Sequence, residues 1–113
     1  MKITFGDRKL HKLVDTPSKL QKAHGANRAK LILRRLDDLT DVDNLEEARN
    51  LPGKCHELTG NRKGQWAMHL DGPYRLVFTP HNDPIPENED GQYIWIEILA
   101  IEILEVVDYH KKG

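Results

Sequence analysis

One cysteine, Cys55, in 113 residues excludes an internal disulfide and agrees with a reducing compartment. No apolar run approaches the ~20 residues needed to span a bilayer. The longest such run, residues 94–107, is interrupted by Glu97, Glu102 and Glu105. The first residues, Met1-Lys2-Ile3-Thr4-Phe5-Gly6-Asp7, lack the apolar core of a signal peptide, so the expected location is cytoplasmic, with no membrane partner. Six histidines raise the question of metal, yet no Cys-x-x-Cys or His-x-x-x-His occurs, and no metal or cofactor is expected. Cys55 and His56 are adjacent and would point to opposite faces of a strand. A glycine-rich phosphate loop and a Gly-x-Ser-x-Gly elbow are also missing, which removes the simplest nucleotide and hydrolase readings. Nor is there a large net charge: the formal value is −1, where nucleic-acid-binding proteins are often strongly basic.

What is present is unevenly spread. Residues 2–35 are basic, whereas 37–47 and 83–105 are acidic. That polarity suits a protein with two kinds of partner, one of them anionic; an ordinary mixed surface accounts for it equally well. The length fits one domain, residues 1–113, with an apolar fraction of 38% and a charged fraction of 31%.

Hydrophobic periodicity divides the chain into two halves. Ile3-Thr4-Phe5 is β-prone, and Asp7 can cap a helix over Arg8–Val14, with Leu10, Leu13 and Val14 at helical spacing. Thr16-Pro17 starts another helix, because proline at the first helical position forfeits no needed donor. That helix breaks at Gly25 or runs through it. Residues 26–39 carry a stripe of Ala29, Ile32, Leu33, Leu36 and Leu39, with Lys30, Arg34, Arg35 and Asp38 outside it. Asn44 and Glu47 resemble a capping box. After Pro52 the period becomes two. Strands are predicted over 55–58, 65–70 and 74–79, the last two joined by the hairpin signal Asp71-Gly72-Pro73. Residues 80–91 hold three prolines and four acidic residues in twelve positions and read as a protruding loop. A turn to about Ile98 and a central strand over 99–107 complete the chain. The fold class is α+β: an N-terminal strand and two to three helices packed on one face of a small, mainly antiparallel sheet.

The polar residues of the β-rich half are His56, Arg62, Lys63, Arg75, Asp108, Tyr109 and His110. Arg62 and Lys63 read as a solvated turn, and Tyr109-His110 as a frayed end. Arg75 is less ordinary, because a mid-strand arginine either edges the sheet or points into a cleft. Asp108-Tyr109-His110 follows the most apolar strand, and polar groups at the end of a central strand often line a functional cleft.

Three segments resemble one family in order and spacing. They are Leu51-Pro52-Gly53 with His56-Glu57-Leu58 and Gly60-Asn61-Arg62-Lys63-Gly64-Gln65-Trp66; then Gly72-Pro73-Tyr74-Arg75-Leu76-Val77-Phe78; and the ending Glu105-Val106-Val107-Asp108-Tyr109-His110. Together they are similar to the HigB-like branch of the RelE/ParE toxin superfamily, the plasmid-maintenance killer proteins. The resemblance implies a RelE-like fold and a cognate helix-turn-helix antitoxin of the HigA kind, with DNA contacted only through it. It also implies cleavage of translated mRNA on the ribosome without metal or cofactor. Such cleavage needs a base for the 2′-hydroxyl, a cation for the phosphorane and an acid for the leaving 5′-oxygen. On this resemblance Arg75 holds the scissile phosphate, and Arg62 and Lys63 support the RNA backbone. His110 is the favoured acid–base residue with His56 second, Tyr109 bonds the phosphate or stacks a base, and Asp108 orients a neighbour or accepts from a base edge. Thr59 departs from the pattern, since HigB toxins often carry lysine there. The alternatives are a ParE-like inhibitor of DNA gyrase, which needs no acid–base residue, and a decayed toxin that retains only antitoxin binding.

Overall fold

The helical half follows its local signals closely. The computed structural model describes residues 1–109. β1 (Lys2–Phe5) leads into α1 (Arg8–Val14), whose first amides at Lys9 and Leu10 donate to the Asp7 carboxylate at 2.9 and 3.2 Å. Pro17 opens α2 (Pro17–His24), and Gly25, at φ +84°, ends it, so the helix breaks there. α3 (Ala26–Asp41) runs two residues beyond the predicted end and buries Ala29, Ile32, Leu36 and Leu39. Its stripe also includes Arg35, which is only 8% exposed; this corrects the expectation that Arg35 lies outside. The Arg35 Nε donates to the carbonyl of His69 at 3.0 Å, so the charge is buried because it reaches across the core to a strand. Near Asn44 the capping pattern holds in part. Asn44 accepts from the Glu47 amide at 3.0 Å, and the Glu47 carboxylate accepts from Asp43 at 2.7 Å; the turn that follows is a 3₁₀ turn, Glu47–Asn50.

β2 (His56–Glu57) is shorter than predicted, and β3 (Trp66–His69) and β4 (Tyr74–Pro80) form the expected hairpin. A 3₁₀ turn at Trp95–Glu97 precedes β5 (Ala100–Asp108). The five strands lie in the order β1-β5-β4-β3-β2, with β1 parallel to β5 and all other pairs antiparallel. The longest and most apolar strand, β5, is thus interior, between β1 and β4, but the middle strand of the five is β4, which corrects the expectation of a central strand over 99–107. The architecture is α+β, three helices on one face of a mainly antiparallel sheet.

The core lies between that face and the helices. Trp66, Met68, Leu76, Phe78, Ile101 and Ile103 contribute from the sheet, with Leu20, Ile32 and Leu39 from the helices. Cys55 packs here as well, and burial pushes its thiol up to about 12. Residues 80–91 protrude less than expected: Pro80 belongs to β4, and Ile85 packs against the core beside Tyr93. The apolar residues of this connection need cover, and the β2–β3 end of the sheet supplies it.

A bulge decides which residues of β5 face which way. Phe78 pairs with Ile103 and Val77 with Glu105, so Leu104 is extra. Ile101 and Ile103 face the helices before the bulge and Val106 after it, which leaves Glu105 on the other face.

A second arginine ties α3 to the sheet. Arg28 donates from Nε and Nη2 to the two Asp71 oxygens at 2.9 and 3.1 Å, and its guanidinium lies 3.3 Å from the centre of the Tyr74 ring. The bond from Arg28 holds the Asp71 carboxyl below its ordinary value. Its stabilising effect is complete above the unfolded value, about 4, and is lost as pH falls through the lower folded one. Asp71→Asn is expected to cost about 1 kcal/mol at pH 7, because the pair is partly exposed. Urea titrations at pH 7 and pH 2.5 check this; an undiminished difference at the lower pH would assign the loss to packing.

Candidate functional site

The face of the sheet turned away from the helices carries most of the polar residues singled out above. Cross-strand register sets two rows on it: His56, Ala67, Val77 and Glu105, then His69, Arg75 and Val107. Ala67 and Val77 are fully buried although they lie outside the helix-side core. Arg62 bridges above them, from the β2–β3 connection to β5. Its Nη1 donates to Gln65 at 2.9 Å and its Nη2 to Glu105 at 3.3 Å. Small floor residues suit that span, since a larger pair would push the bridge away from the sheet.

Beside this bridge sits an imidazole pair. The His56 and His69 rings meet edge to face, with centroids 5.7 Å apart. The His56 Nδ1 lies 2.7 Å from the carbonyl of Lys54. A carbonyl only accepts, so Nδ1 carries the proton and the neutral ring keeps Nε2 as its basic atom. His69 is positioned through its backbone: its amide donates to Gly53 at 2.7 Å and its carbonyl accepts from Arg35. Burial, then the positive charge of Arg75, lowers the His69 pKa, with smaller contributions from His56, Lys54 and Arg35. The ring is therefore neutral at pH 7 and available as a base. NMR titration should give His69 a midpoint below the ordinary ~6.5. In Arg75→Ala that midpoint should rise; an unchanged value would remove Arg75 from its surroundings.

Arg75 follows in register. Its Nη1 donates to the carbonyls of Gly72 and Tyr74 at 2.8 and 2.9 Å, and its guanidinium carbon lies 5.6 Å from the centre of the Tyr109 ring. Nε and Nη2 make no hydrogen bond among the described residues, which leaves three of the five N–H donors for an anion. Tyr109 is set by its amide, which donates to Pro73 at 3.0 Å.

The other candidates are placed differently. Asp108 pairs in register with Tyr74 on the helix side, where its charge helps to keep Arg28 protonated. Lys63 and Thr59 line a separate cavity of about 530 Å³ beyond β2, with Arg49, Tyr93 and Trp95. His110 lies outside the described residues. The structure thus brings together His56, Arg75, Tyr109 and Arg62, and adds His69 to them. His69 falls inside the strand predicted over 65–70 and is not singled out there; the signal for it is its register opposite Arg75 in the hairpin. Among the described residues no group of His, Cys, Asp and Glu is arranged to hold a metal ion, and no helix is long and apolar enough to cross a membrane.

No protein-family model matches the chain, and no curated protein sequence does. Among solved structures, a YoeB/ParE toxin from Agrobacterium tumefaciens is similar with a TM-score of 0.49 and 15% sequence identity. The alignment covers 94% of this chain and 95% of that one.

Proposed function

We propose that this chain is a RelE/ParE-superfamily toxin of the HigB-like branch. It acts as a ribosome-dependent endoribonuclease and is neutralised by a HigA-like antitoxin. The observation that carries the reading is the grouping of two imidazoles with a guanidinium, two of whose nitrogens make no hydrogen bond among the described residues, on the sheet face turned away from the helices. Acid–base groups beside a phosphate-binding fork are what metal-independent RNA cleavage requires. The order of the three sequence segments described above supports the same family.

In this reading a neutral imidazole, His69 or the Nε2 of His56, removes the proton of the 2′-hydroxyl. The 2′-oxygen attacks phosphorus, and the bond to the 5′-oxygen breaks. Arg75 balances the charge on the non-bridging oxygens of the phosphorane. An imidazolium returns a proton to the leaving 5′-oxygen, which leaves a 2′,3′-cyclic phosphate and a 5′-hydroxyl; His110 remains the proposed donor. Tyr109 flanks the phosphate or stacks a base. Arg62, already held by Glu105, contributes to the basic rim, while Lys63, Thr59 and Asp108 lie away from the reacting atoms.

Induced expression of the chain tests this. Growth arrest with cuts in translated mRNA is expected. A DNA-damage response with intact mRNA would instead identify a gyrase inhibitor, and no toxicity with tight antitoxin binding a decayed toxin.

A further inference from the structure

The bulge in β5 places a carboxylate where a phosphate-binding face would do better without one. Ile101 and Ile103 face the helices, so an unbroken period of two would turn Glu105 toward the helices as well. The extra residue Leu104 reverses this, and Glu105 stands beside Val77 on the face that carries His56, His69 and Arg75. Among the described residues of the two rows on that face it is the one acid. A carboxylate there repels the same anion that the guanidiniums attract.

Two arginines tie distant segments by ion pairs, and the pairs are built differently. Arg28 grips Asp71 through both sides of its fork, at 2.9 and 3.1 Å. Arg62 touches Glu105 through one nitrogen and one oxygen at 3.3 Å, longer than the ~2.7–2.9 Å of a charge-assisted bond. The arginine side chains are alike, 19% and 17% exposed, but Glu105 is 43% exposed against 28% for Asp71. Gln65 holds the Arg62 Nη1 independently, at 2.9 Å. The guanidinium therefore keeps an anchor when the carboxylate swings out to water, and a single-point pair this exposed adds little to the fold.

We propose that Glu105 is a blocking carboxylate. In the free protein it takes the place of a phosphate on Arg62, and a bound RNA strand displaces it. Glu105 and Arg75 are diagonal neighbours across β4 and β5, about 7–8 Å apart in ordinary sheet geometry. Arg62, once released, and Arg75 then serve neighbouring phosphates of one strand. The inference rests on the ribonuclease reading for the identity of its ligand and adds a regulation to that site. The exchange lowers affinity for free RNA, which reserves the face for a strand presented in place, as on a ribosome.

The test is a double-mutant cycle in RNA binding. Fluorescence anisotropy at low salt follows a labelled, 2′-O-methylated hexanucleotide, which cannot be cleaved, with the parent, Glu105→Gln, Arg62→Gln and the double variant. Thermal melts establish that each is folded. Glu105→Gln keeps the shape and removes the charge, so it should bind the strand about fivefold more tightly. In the Arg62→Gln background the same change should gain less than about twofold, because no guanidinium remains to be released. Weaker binding by Glu105→Gln would make Glu105 a support for Arg62 and overturn the proposal. A fivefold gain that survives in Arg62→Gln would overturn it as a general charge effect. So would an equal gain with inorganic phosphate as the ligand, or no saturable binding by any variant up to about 1 mM. Cleavage is not part of this readout: intact mRNA in induced cells would sink the ribonuclease reading and leave the binding cycle as it stands.

Discussion

Arg75→Ala is expected to lower RNA cleavage about 10²- to 10³-fold, the usual cost of removing one preorganised donor from a developing oxyanion. Arg75 is suited to that role by position: Gly72 and Tyr74 fix one nitrogen of its fork, and the remaining donors lie on the face that carries His56 and His69. Its own hydrogen bonds are partly exposed, so the folded state should lose only about 1 kcal/mol. Arg75→Lys keeps the charge without the planar fork and should recover part of the rate. Single-turnover cleavage with a purified ribosome–mRNA complex, beside a thermal melt of each variant, separates the two effects. Cleavage by Arg75→Ala at the parent rate would remove Arg75 from the site. A rate loss matched by a large drop in melting temperature would make it a structural residue.

Gly53→Ala is expected to be the most damaging small change to the fold, at about 3 kcal/mol, or roughly 10–20 °C in melting temperature. Gly53 has φ +106°, where a side chain is strained regardless of space. There is no space either: a Cβ would lie 2.6 Å from the Arg35 Nε and 3.2 Å from its Cδ. Arg35 is buried and cannot withdraw without abandoning the His69 carbonyl, while the Gly53 carbonyl holds the His69 amide. The substitution therefore strikes the backbone that positions the imidazole pair. Arg35→Met in the same background should restore part of the loss by removing the clash, so the two changes should be non-additive. Additive costs, or a Gly53→Ala melt within about 2 °C of the parent, would show that the turn adapts freely.

Much of this was legible beforehand because the signals are local. Asp7 and Pro17 act within one turn of their own positions and open α1 and α2 as expected, while the break at Gly25, which the sequence left open, comes with its φ of +84°. The strand predicted over 74–79 needs only the period of two, and it forms as β4; the placement of Arg75, which the sequence left open between a sheet edge and a cleft, is set by pairing with β3 and β5 on the face away from the helices. Arg35 was misread for the opposite reason. A helical wheel sorts by polarity, and nothing within α3 reveals that a strand carbonyl waits across the core for a buried guanidinium.

The sequence by itself determined the α+β order, the starts of α1 and α2 and the β3–β4 hairpin, since each follows from contacts between near neighbours in the chain. Tertiary structure alone decided the rest. The bulge at Leu104 moved Glu105 off the core face to meet Arg62, and pairing with β3 set His69 beside His56 and opposite Arg75. β1 ends early and pairs with only the first four residues of β5. Register, bulges and strand length are set by partners distant in sequence, and no periodicity within one segment encodes them.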